Sequence, residues 1–241
     1  MDSGWMIGTA ILIMGLVAVC VIQWVQNQKL KEKNREMEEQ LRETDMSIML
    51  SQIQPHFLYN SLSAIRELCL EDPEEAPRAL EEFSAFLRGN MDSLRSKVPV
   101  PFSRELEHVK HYLHLEQIRF GNDLRVEYDI REEDFFLPTL TIQPIVENAV
   151  KYGVGNKEEG GTVRISTCRE GEKIVITVED DGIGFDVDEI EHIPVQKDGR
   201  THIGLSNVKH RLKKMVNGTM TIHSRRETGT IVRITLDAEH R

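Results

Sequence analysis

The first pattern along the chain is a long apolar run near its amino end. No side chain between Gly4 and Val25 is charged, and about 20 apolar helical residues cross a hydrocarbon core of roughly 30 Å. A buried helix of a soluble protein would show one polar face, and this run shows none. A cleaved signal peptide would begin with positive charge and be shorter, whereas Asp2 stands at this start. The pattern predicts a transmembrane helix within residues 1–28.

Four basic residues, Lys29, Lys31, Lys33 and Arg35, follow this run directly. Because short segments rich in Lys and Arg stay on the cytoplasmic side, we expect a single-pass protein of the cell membrane with its N-terminus outside. The domains that follow would then be cytoplasmic. Only a few residues would lie outside, so we expect no extracellular sensor domain. The stimulus would reach the chain through the membrane helix itself or through another membrane protein.

Residues 29–50 predict a helical stalk, because they contain no Gly or Pro and are rich in good helix formers. The residues at alternating four- and three-residue spacing are Leu30, Asn34, Met37, Leu41, Thr44 and Ile48. Such a seam predicts a two-stranded coiled coil, and therefore a homodimer. A single solvated linker helix is the alternative, since two seam positions are polar.

Residues 51–121 begin with a helix that has two different faces. The apolar stripe consists of Ile53, Phe57, Leu58, Leu62, Ile65 and Leu68, and the polar stripe of Gln52, His56, Asn60, Ser63 and Glu67. His56 therefore projects from the polar face, where a neutral imidazole is a competent nucleophile. Asn60, one turn on, could orient the ring or a water molecule. Pro55 predicts a kink one residue before His56. Taken alone, this segment also fits a surface histidine without chemistry.

Farther along the chain, histidines recur at every third position, at His108, His111 and His114. No cysteine or paired carboxylate completes a ligand set there, so we interpret them as part of a solvated face rather than a metal site.

The pattern changes at about residue 122 to alternating strands and helices. Alternation and β-branching predict strands at L-R-V-E-Y-D-I, T-V-R-I-S-T-C, K-I-V-I-T-V-E-D, T-M-T-I-H-S and T-I-V-R-I-T-L. Helices are expected at about residues 139–152 and 203–216, and Gly160-Gly161 and Asn217-Gly218 supply turns. Residues 122–241 thus predict an α/β sandwich with one sheet backed by helices, and the whole chain is α+β.

The overall composition limits the kinds of partner and metal that the chain is expected to bind. A net charge of −10 argues against direct nucleic-acid binding, which needs clustered Lys and Arg. The cysteines Cys20, Cys69 and Cys168 are far apart and form no C-x-x-C pair, so neither a disulfide framework nor a zinc site follows.

Three short motifs lie in order on the predicted sandwich. P-I-V-E-N-A-V-K-Y-G carries Asn148, whose carbonyl oxygen suits a magnesium ion, and Lys151, which could meet phosphate one turn later, beside Tyr152. E-D-D-G-I-G-F follows a strand and offers a carboxylate beside glycines that let the backbone approach a ligand. G-L-S-N, which ends at Asn207, is expected to begin a helix, where free N–H groups favour an anion.

The string Q-x-Q-P-H-F-L-Y-N-x-L resembles the phosphoacceptor box of LytS-type sensor histidine kinases, and Tyr112–Phe120 resembles the connecting helix of that family. The three later motifs resemble the N, G1 and G2 boxes of the Bergerat-type ATP-binding fold. By this resemblance residues 51–121 form a dimerising hairpin on which His56 is autophosphorylated. The second helix of that hairpin would run from about Glu74 to Leu94. The residues expected to point inward from it are Ala79, Leu80, Phe83, Phe86 and Leu87. The cofactors would be ATP and Mg²⁺, and the partner the receiver domain of a response regulator.

The same resemblance assigns roles within residues 122–241. Asn148 would hold magnesium, and Asp181 would bind the adenine amine. Gly182 and Gly184 would form the pocket wall, and Gly204 and Leu205 would lie along the phosphates. Residues 191–202 would form a mobile lid.

Two positions depart from related proteins. Commoner histidine kinases carry an acidic residue directly after the phosphoacceptor, and this chain has Phe57 there. Gyrase-like hydrolases place a glutamate base four residues before the magnesium asparagine, and this chain has Pro144. The second departure, Pro144, favours transfer of the phosphoryl group to a side chain over hydrolysis of ATP. The alternatives are a non-catalytic membrane-tethered scaffold that binds nucleotide and a Ser/Thr kinase of the anti-sigma type.

Overall fold

The computed structural model describes residues 24, 26–29, 31, 33, 55–96, 98–186 and 200–238. The chain divides into two compact units, Met1–Gln54 and Pro55–Arg241. In the first unit the described positions are helical. Within the described ranges no helix is both long and apolar enough to cross a bilayer. The predicted transmembrane helix and stalk fall mostly outside those ranges and stay predictions.

The second unit holds three long helices followed by a mixed α/β layer. The helices are α1 (Pro55–Glu71), α2 (Ala76–Arg95), α3 (Phe102–Phe120), α4 (Gln143–Asn148) and α5 (Arg200–Val216). The strands are β1 (Val100–Pro101), β2 (Leu124–Ile130), β3 (Phe136–Leu137), β4 (Gly161–Glu170), β5 (Lys173–Asp180), β6 (Thr219–Arg225) and β7 (Gly229–Asp237). The predicted helical hairpin followed by an α/β sandwich is thereby confirmed.

An aromatic cluster joins the three long helices. The ring of Phe57 on α1 lies 4.8 Å from Phe86 on α2 and 5.1 Å from Tyr112 on α3, measured between centroids. Phe86 also stacks on His108 at 5.2 Å with nearly parallel planes. Buried aromatic pairs of this kind add about 0.5–1.5 kcal/mol each beyond their area burial. Phe57 therefore ties α1 to both neighbouring helices.

The histidines of α3 correct one prediction. His108 is buried, and burial lowers its pKa to about 4, an effect that the nearby Gln143 side chain opposes. His111 pairs with Glu82, and His114 lies 3.5 Å from Glu75. The predicted solvated face is wrong because α2 packs along this side of α3.

Leu80 corrects a second prediction. It was expected to point inward from α2, but 51% of its surface is exposed, and Leu62 on α1 is 50% exposed. Ala79, Phe83 and Phe86 are buried as predicted. Ala79, Phe83 and Phe86 follow one another at four- and three-residue spacing and form the buried face of α2, and Leu80 lies at the edge of that face.

The sheet contains the five strands that alternation predicted. Their order is β2-β4-β5-β7-β6, with β2 and β4 parallel and the other pairs antiparallel. One face carries the buried positions, Val163, Ile165, Ile176, Val178, Val232 and Ile234. Ile142, Ile145, Val146, Val208 and Leu212 of the helical layer are also buried. Since side chains alternate along a strand, this face is apolar, and the opposite face is mostly polar, with the buried Val175 as an exception.

A single carboxylate organises the loop that leads into α4. Glu105 on α3 accepts N–H groups from Leu140 at 2.6 Å, Thr141 at 3.0 Å and Ile142 at 3.3 Å. Arg211 on α5 donates to the Leu140 carbonyl at 2.7 Å. Burial raises the pKa of Glu105, while the three N–H groups and Arg211 oppose that shift. Leu140 has a φ of 54°, which residues other than glycine rarely adopt. The carboxylate thus fixes a loop that its own sequence does not favour.

We predict that Glu105→Gln lowers the free energy of unfolding by about 2–4 kcal/mol, because an amide NH₂ would face buried N–H donors. Glu107→Gln, on the exposed side of the same helix, is the matched control and should change it by less than about 0.5 kcal/mol. Urea unfolding followed by circular dichroism measures both. Equal stability of the two variants would contradict the role given to Glu105.

Candidate functional site

His56 stands in the first turn of α1 with its side chain exposed to solvent. Nδ2 of Asn60 lies 3.0 Å from Nδ1 of the imidazole and 3.5 Å from Nε2. The contact follows from helix geometry, which places residues four apart on one face. Pro55 is the first described residue of α1, so the predicted kink before His56 lies outside the described residues. The polar face thus presents an imidazole whose Nδ1 is engaged.

Asn148 ends α4, and the chain then widens into a π-helical turn, Ala149–Gly153. Single π turns add one residue to a helix and shift the side chains that follow. Asn148 is half-buried, whereas Lys151 and Tyr152 are exposed, with the Lys151 ammonium 4.7 Å from the Tyr152 ring centroid. Asn156 donates to the Lys151 carbonyl at 3.2 Å and closes the turn. The turn therefore displays an amide, an ammonium and an aromatic ring in sequence.

Two adjacent aspartates stand at the end of β5: Asp180 is its last residue and Asp181 follows directly. Because side chains alternate along a strand, the two side chains point to opposite faces of the sheet. Asp180 continues the buried face of Ile176 and Val178 and is itself buried. Burial raises its pKa to about 6; the N–H of Gly182 lowers the pKa, and the neighbouring Asp181 raises it. Asp181 is exposed, and its Oδ1 accepts the backbone N–H of Thr162 at 2.6 Å. Only Asp180 therefore lies on the side of the sheet that α4 covers.

The turn after β5 packs closely against the π turn. A side chain at Gly153 would collide with the Asp180 carboxylate, and one at Gly182 would collide with the backbone of Gly153. Gly184 has a φ of 56° and packs against the Arg225 carbonyl. The glycines that were predicted as a pocket wall are thus required by close packing. This packing brings the carboxylate of Asp180 to the end of the turn that starts after Asn148.

The G-L-S-N segment lies differently from the prediction. Helix α5 begins at Arg200 rather than at about residue 203, so Gly204 and Leu205 fall in its second turn. Residues 200–203 contain no Gly or Pro that would interrupt a helix. The expected free N–H groups at Gly204 are therefore used within the helix. Asn207 is exposed on α5. Residues 191–199 of the predicted lid lie outside the described residues, and Arg200–His202 begin α5.

A buried polar cluster supports α4 from behind. Gln143 donates to Glu147 at 2.6 Å and to Asn90 on α2 at 3.4 Å. Burial raises the pKa of Glu116 on α3 to about 7, Arg119 lowers it, and Glu147 raises it. Glu147, directly before Asn148, thus faces α3. Its carboxylate is engaged away from the side of α4 that holds the other candidate groups.

Two groups near the candidate site were not predicted from the sequence, Asp180 and Glu105. The sequence contains a signal for Asp180. The first residue of the D-x-G-x-G pattern is Asp180, and strand alternation places that residue on the buried face of the sheet. The pairing of Glu105 with residues 140–142 had none, because 35 to 37 residues separate the partners.

Two family models match the chain. A histidine kinase model covers residues 44–124, and a model of histidine kinase-, DNA gyrase B- and HSP90-like ATPases covers residues 136–240. Among solved structures, the catalytic domain of histidine kinase ThkA matches at 14% identity with a TM-score of 0.46, over 60% of this chain and 98% of that one. That likeness is too weak to carry an argument.

Curated relatives match along most of the chain. YwpD of Bacillus subtilis is 38% identical over 190 residues, which cover 78% of this chain and 68% of that protein. The sensor histidine kinase YpdA of Escherichia coli is 34% identical over 215 residues, 89% of this chain and 38% of that protein. The sensor protein LytS of Enterococcus faecalis is 35% identical over 147 residues, 60% of this chain and 25% of that protein. The chain thus spans well under half the length of the latter two.

These matches, together with the hairpin and the sandwich, define the class: the chain belongs to the LytS/YpdA-type sensor histidine kinases and carries their ATPase domain.

The two aspartates are predicted to differ in nucleotide binding. Asp180→Asn should weaken binding of an adenine nucleotide about 10- to 100-fold, because a neutral amide would replace the carboxylate that is placed to accept the adenine amine. Asp181→Asn should change it less than about threefold, since an amide oxygen can still accept the Thr162 N–H. Isothermal titration calorimetry measures both. A larger loss of affinity for Asp181→Asn than for Asp180→Asn would instead favour Asp181 as the acceptor of the adenine amine.

The affinity should also depend on pH through Asp180. The ionised carboxylate is the form that would accept the adenine amine, and burial raises the pKa of Asp180 to about 6. Affinity should therefore be constant above about pH 7 and fall as the pH drops through 6, by up to about tenfold per unit. Asp181→Asn should keep this dependence, and Asp180→Asn should lose it. The difference between the two curves removes the titration of the nucleotide's own phosphates. Parallel curves would contradict the assignment.

Proposed function

We propose that the chain is a sensor kinase that phosphorylates its own His56 from ATP and passes the phosphoryl group to an aspartate of a response-regulator receiver domain. The observation that carries this proposal is the junction of Asn148 and Asp180. One is an amide at the end of α4, and the other is a buried carboxylate at the end of β5 that lies against the same π turn. The exposed His56 supplies a nucleophile on a separate helix.

The residues at this junction fit a magnesium nucleotide. Asp180 would accept the adenine amine, in place of Asp181. The side chain of Asn148 forms no hydrogen bond with another described residue, so its amide oxygen would be free to hold Mg²⁺, which neutralises phosphate charge when bound. Lys151 would meet the phosphates. Gly204, Leu205 and Asn207 would reach them once the first turns of α5 open.

Transfer rather than hydrolysis is supported by what surrounds Asn148. A hydrolase needs a carboxylate that activates water beside the terminal phosphate. Pro144 cannot act as a base, and Glu147 is bonded to Gln143 on the α3 side. The His56 nitrogen would instead attack the γ-phosphorus, forming an N–P bond as the P–O bond to ADP breaks. The receiver carboxylate would then take the phosphoryl group and regenerate the imidazole.

A homodimer held through the hairpin is part of the proposal. Tyr59, Leu62 and Leu80 are 73%, 50% and 51% exposed on α1 and α2. Exposed apolar side chains grouped on two packed helices are typical of an interaction surface. A second copy of the hairpin would cover them, and the heptad seam of residues 29–50 would continue the contact.

Attachment to the membrane rests on the uncharged run from Gly4 to Val25 and the basic residues after it. We propose one span with the N-terminus outside and the kinase domains in the cytoplasm. The stimulus would then arrive through the span or through another membrane protein.

His56→Gln tests the central step. The 241-residue chain, incubated with γ-labelled ATP and Mg²⁺, should acquire a label that is lost in acid and survives alkali, as expected of a phosphoramidate. His56→Gln should abolish it, and His223→Gln, an exposed histidine on β6, should keep it. Acid-stable label would indicate Ser or Thr phosphorylation, and bound nucleotide without label would support the scaffold.

The membrane span has its own test. Most of the chain should stay in the membrane pellet after alkaline carbonate washing. Leu12→Arg with Leu16→Arg should release it, because each arginine at the centre of a span costs about 2.5–3.5 kcal/mol. Leu12→Val with Leu16→Val is the matched control and should stay in the pellet. Release of the unsubstituted chain would exclude the span.

A further inference from the structure

The contact between Asn60 and His56 has a chemical consequence for the ring. Nδ1 of the imidazole lies at hydrogen-bond distance from the Asn60 amide, 3.0 Å away, and Nε2 lies farther, at 3.5 Å. The side chain of His56 is exposed. Nε2 is therefore the nitrogen that a phosphoryl donor can approach, and Nδ1 is the nitrogen that the protein holds.

Within residues 55–96, 98–186 and 200–238, no carboxylate is bonded to Nδ1 of His56. Phe57, the residue after His56, is buried between Phe86 and Tyr112 and points away from the ring. Glu67 and Glu71, farther along the polar side of α1, are 11 and 15 residues away, which is roughly 16–22 Å along a helix. Among the described residues Asn60 is thus the group that bonds the imidazole.

An asparagine amide can present either of two atoms at the same place. With Nδ2 towards the ring, it donates to Nδ1, so the proton lies on Nε2, which then has no free electron pair. With Oδ1 towards the ring, it accepts from Nδ1–H, and the pair on Nε2 is free to attack. Which nitrogen of a histidine is protonated follows from the hydrogen bond that the other makes.

The amide has room to turn. Asn60 is half-buried and lines one end of an open groove of about 310 Å³ between α1 and α3. Ser63, Ala64 and Arg119 also line the groove. The space beside Asn60 therefore admits a half-turn of the amide without displacing the helix.

We propose that Asn60 is a positioning residue that selects the Nδ1–H form of His56 through its Oδ1 atom and so prepares Nε2 as the attacking nitrogen. This inference rests on the proposed function. As the N–P bond forms at Nε2 and ADP departs with the electron pair, positive charge develops on the ring. The Nδ1–H, held by Oδ1, carries that charge and afterwards loses its proton to water, because an amide cannot take it.

The first test measures the ring itself and needs no activity. In the 241-residue chain with ¹⁵N-labelled histidine, at about pH 8.5 where an ordinary imidazole is neutral, the nitrogen shifts of His56 report its tautomer. Asn60→Leu should lower the Nδ1–H fraction, and Asn60→Asp, an acceptor only, should raise it above that of the unsubstituted chain. Ser63→Ala, on the same face but without contact to the ring, should leave it unchanged.

The second test measures autophosphorylation of the same variants at saturating ATP. Asn60→Leu should slow it about 10- to 100-fold, with the Kd for nucleotide unchanged, and Asn60→Asp should retain at least the original rate. An Nδ1–H fraction that is the same with and without Asn60, or an Asn60→Asp variant as slow as Asn60→Leu, would overturn the proposal. Absence of label in the unsubstituted chain would refute the proposed function, while the tautomer measurement would still decide whether Asn60 selects the ring form.

Discussion

The ATPase domain depends most on the hydrogen bonds that the Glu105 carboxylate accepts from three backbone N–H groups. The loop at Leu140 adopts a left-handed conformation and would leave three donors unsatisfied in the interior. The carboxylate that holds it belongs to α3, the helix that follows the hairpin. Because α4 starts directly after this loop, the place of Asn148 depends on a side chain from another part of the fold.

Helix α3 serves both candidate sites. Glu105 holds the loop before Asn148, and two turns on, Tyr112 packs against Phe57, the neighbour of His56. His108, between them, stacks on Phe86. A shift of α3 would therefore act on the helix that carries His56 and on the helix that carries Asn148 together. This shared helix connects the hairpin physically to the end of α4.

Much of this architecture could be read from local patterns. Alternation identified all five strands of the sheet, and apolar spacing identified the helix that carries His56, because these signals depend on neighbours in sequence. The helices α2 and α3 were expected from the resemblance to the kinase family. Contacts distant in sequence were not accessible. The burial of His108 depends on α2, and the acceptance by Glu105 depends on a loop 35 residues away. Asp180 is an intermediate case. The alternation of side chains along β5 would have placed Asp180 on the buried face of the sheet and Asp181 on the opposite face.

The central claim is that one nucleotide site lies between α4 and the end of β5. A crystal structure of the 241-residue chain with a non-hydrolysable ATP analogue and Mg²⁺ tests it most directly. The account predicts the adenine amine at the Asp180 carboxylate and the metal at the Asn148 amide. A nucleotide bound elsewhere, or electron density that leaves both side chains without a ligand, would contradict it.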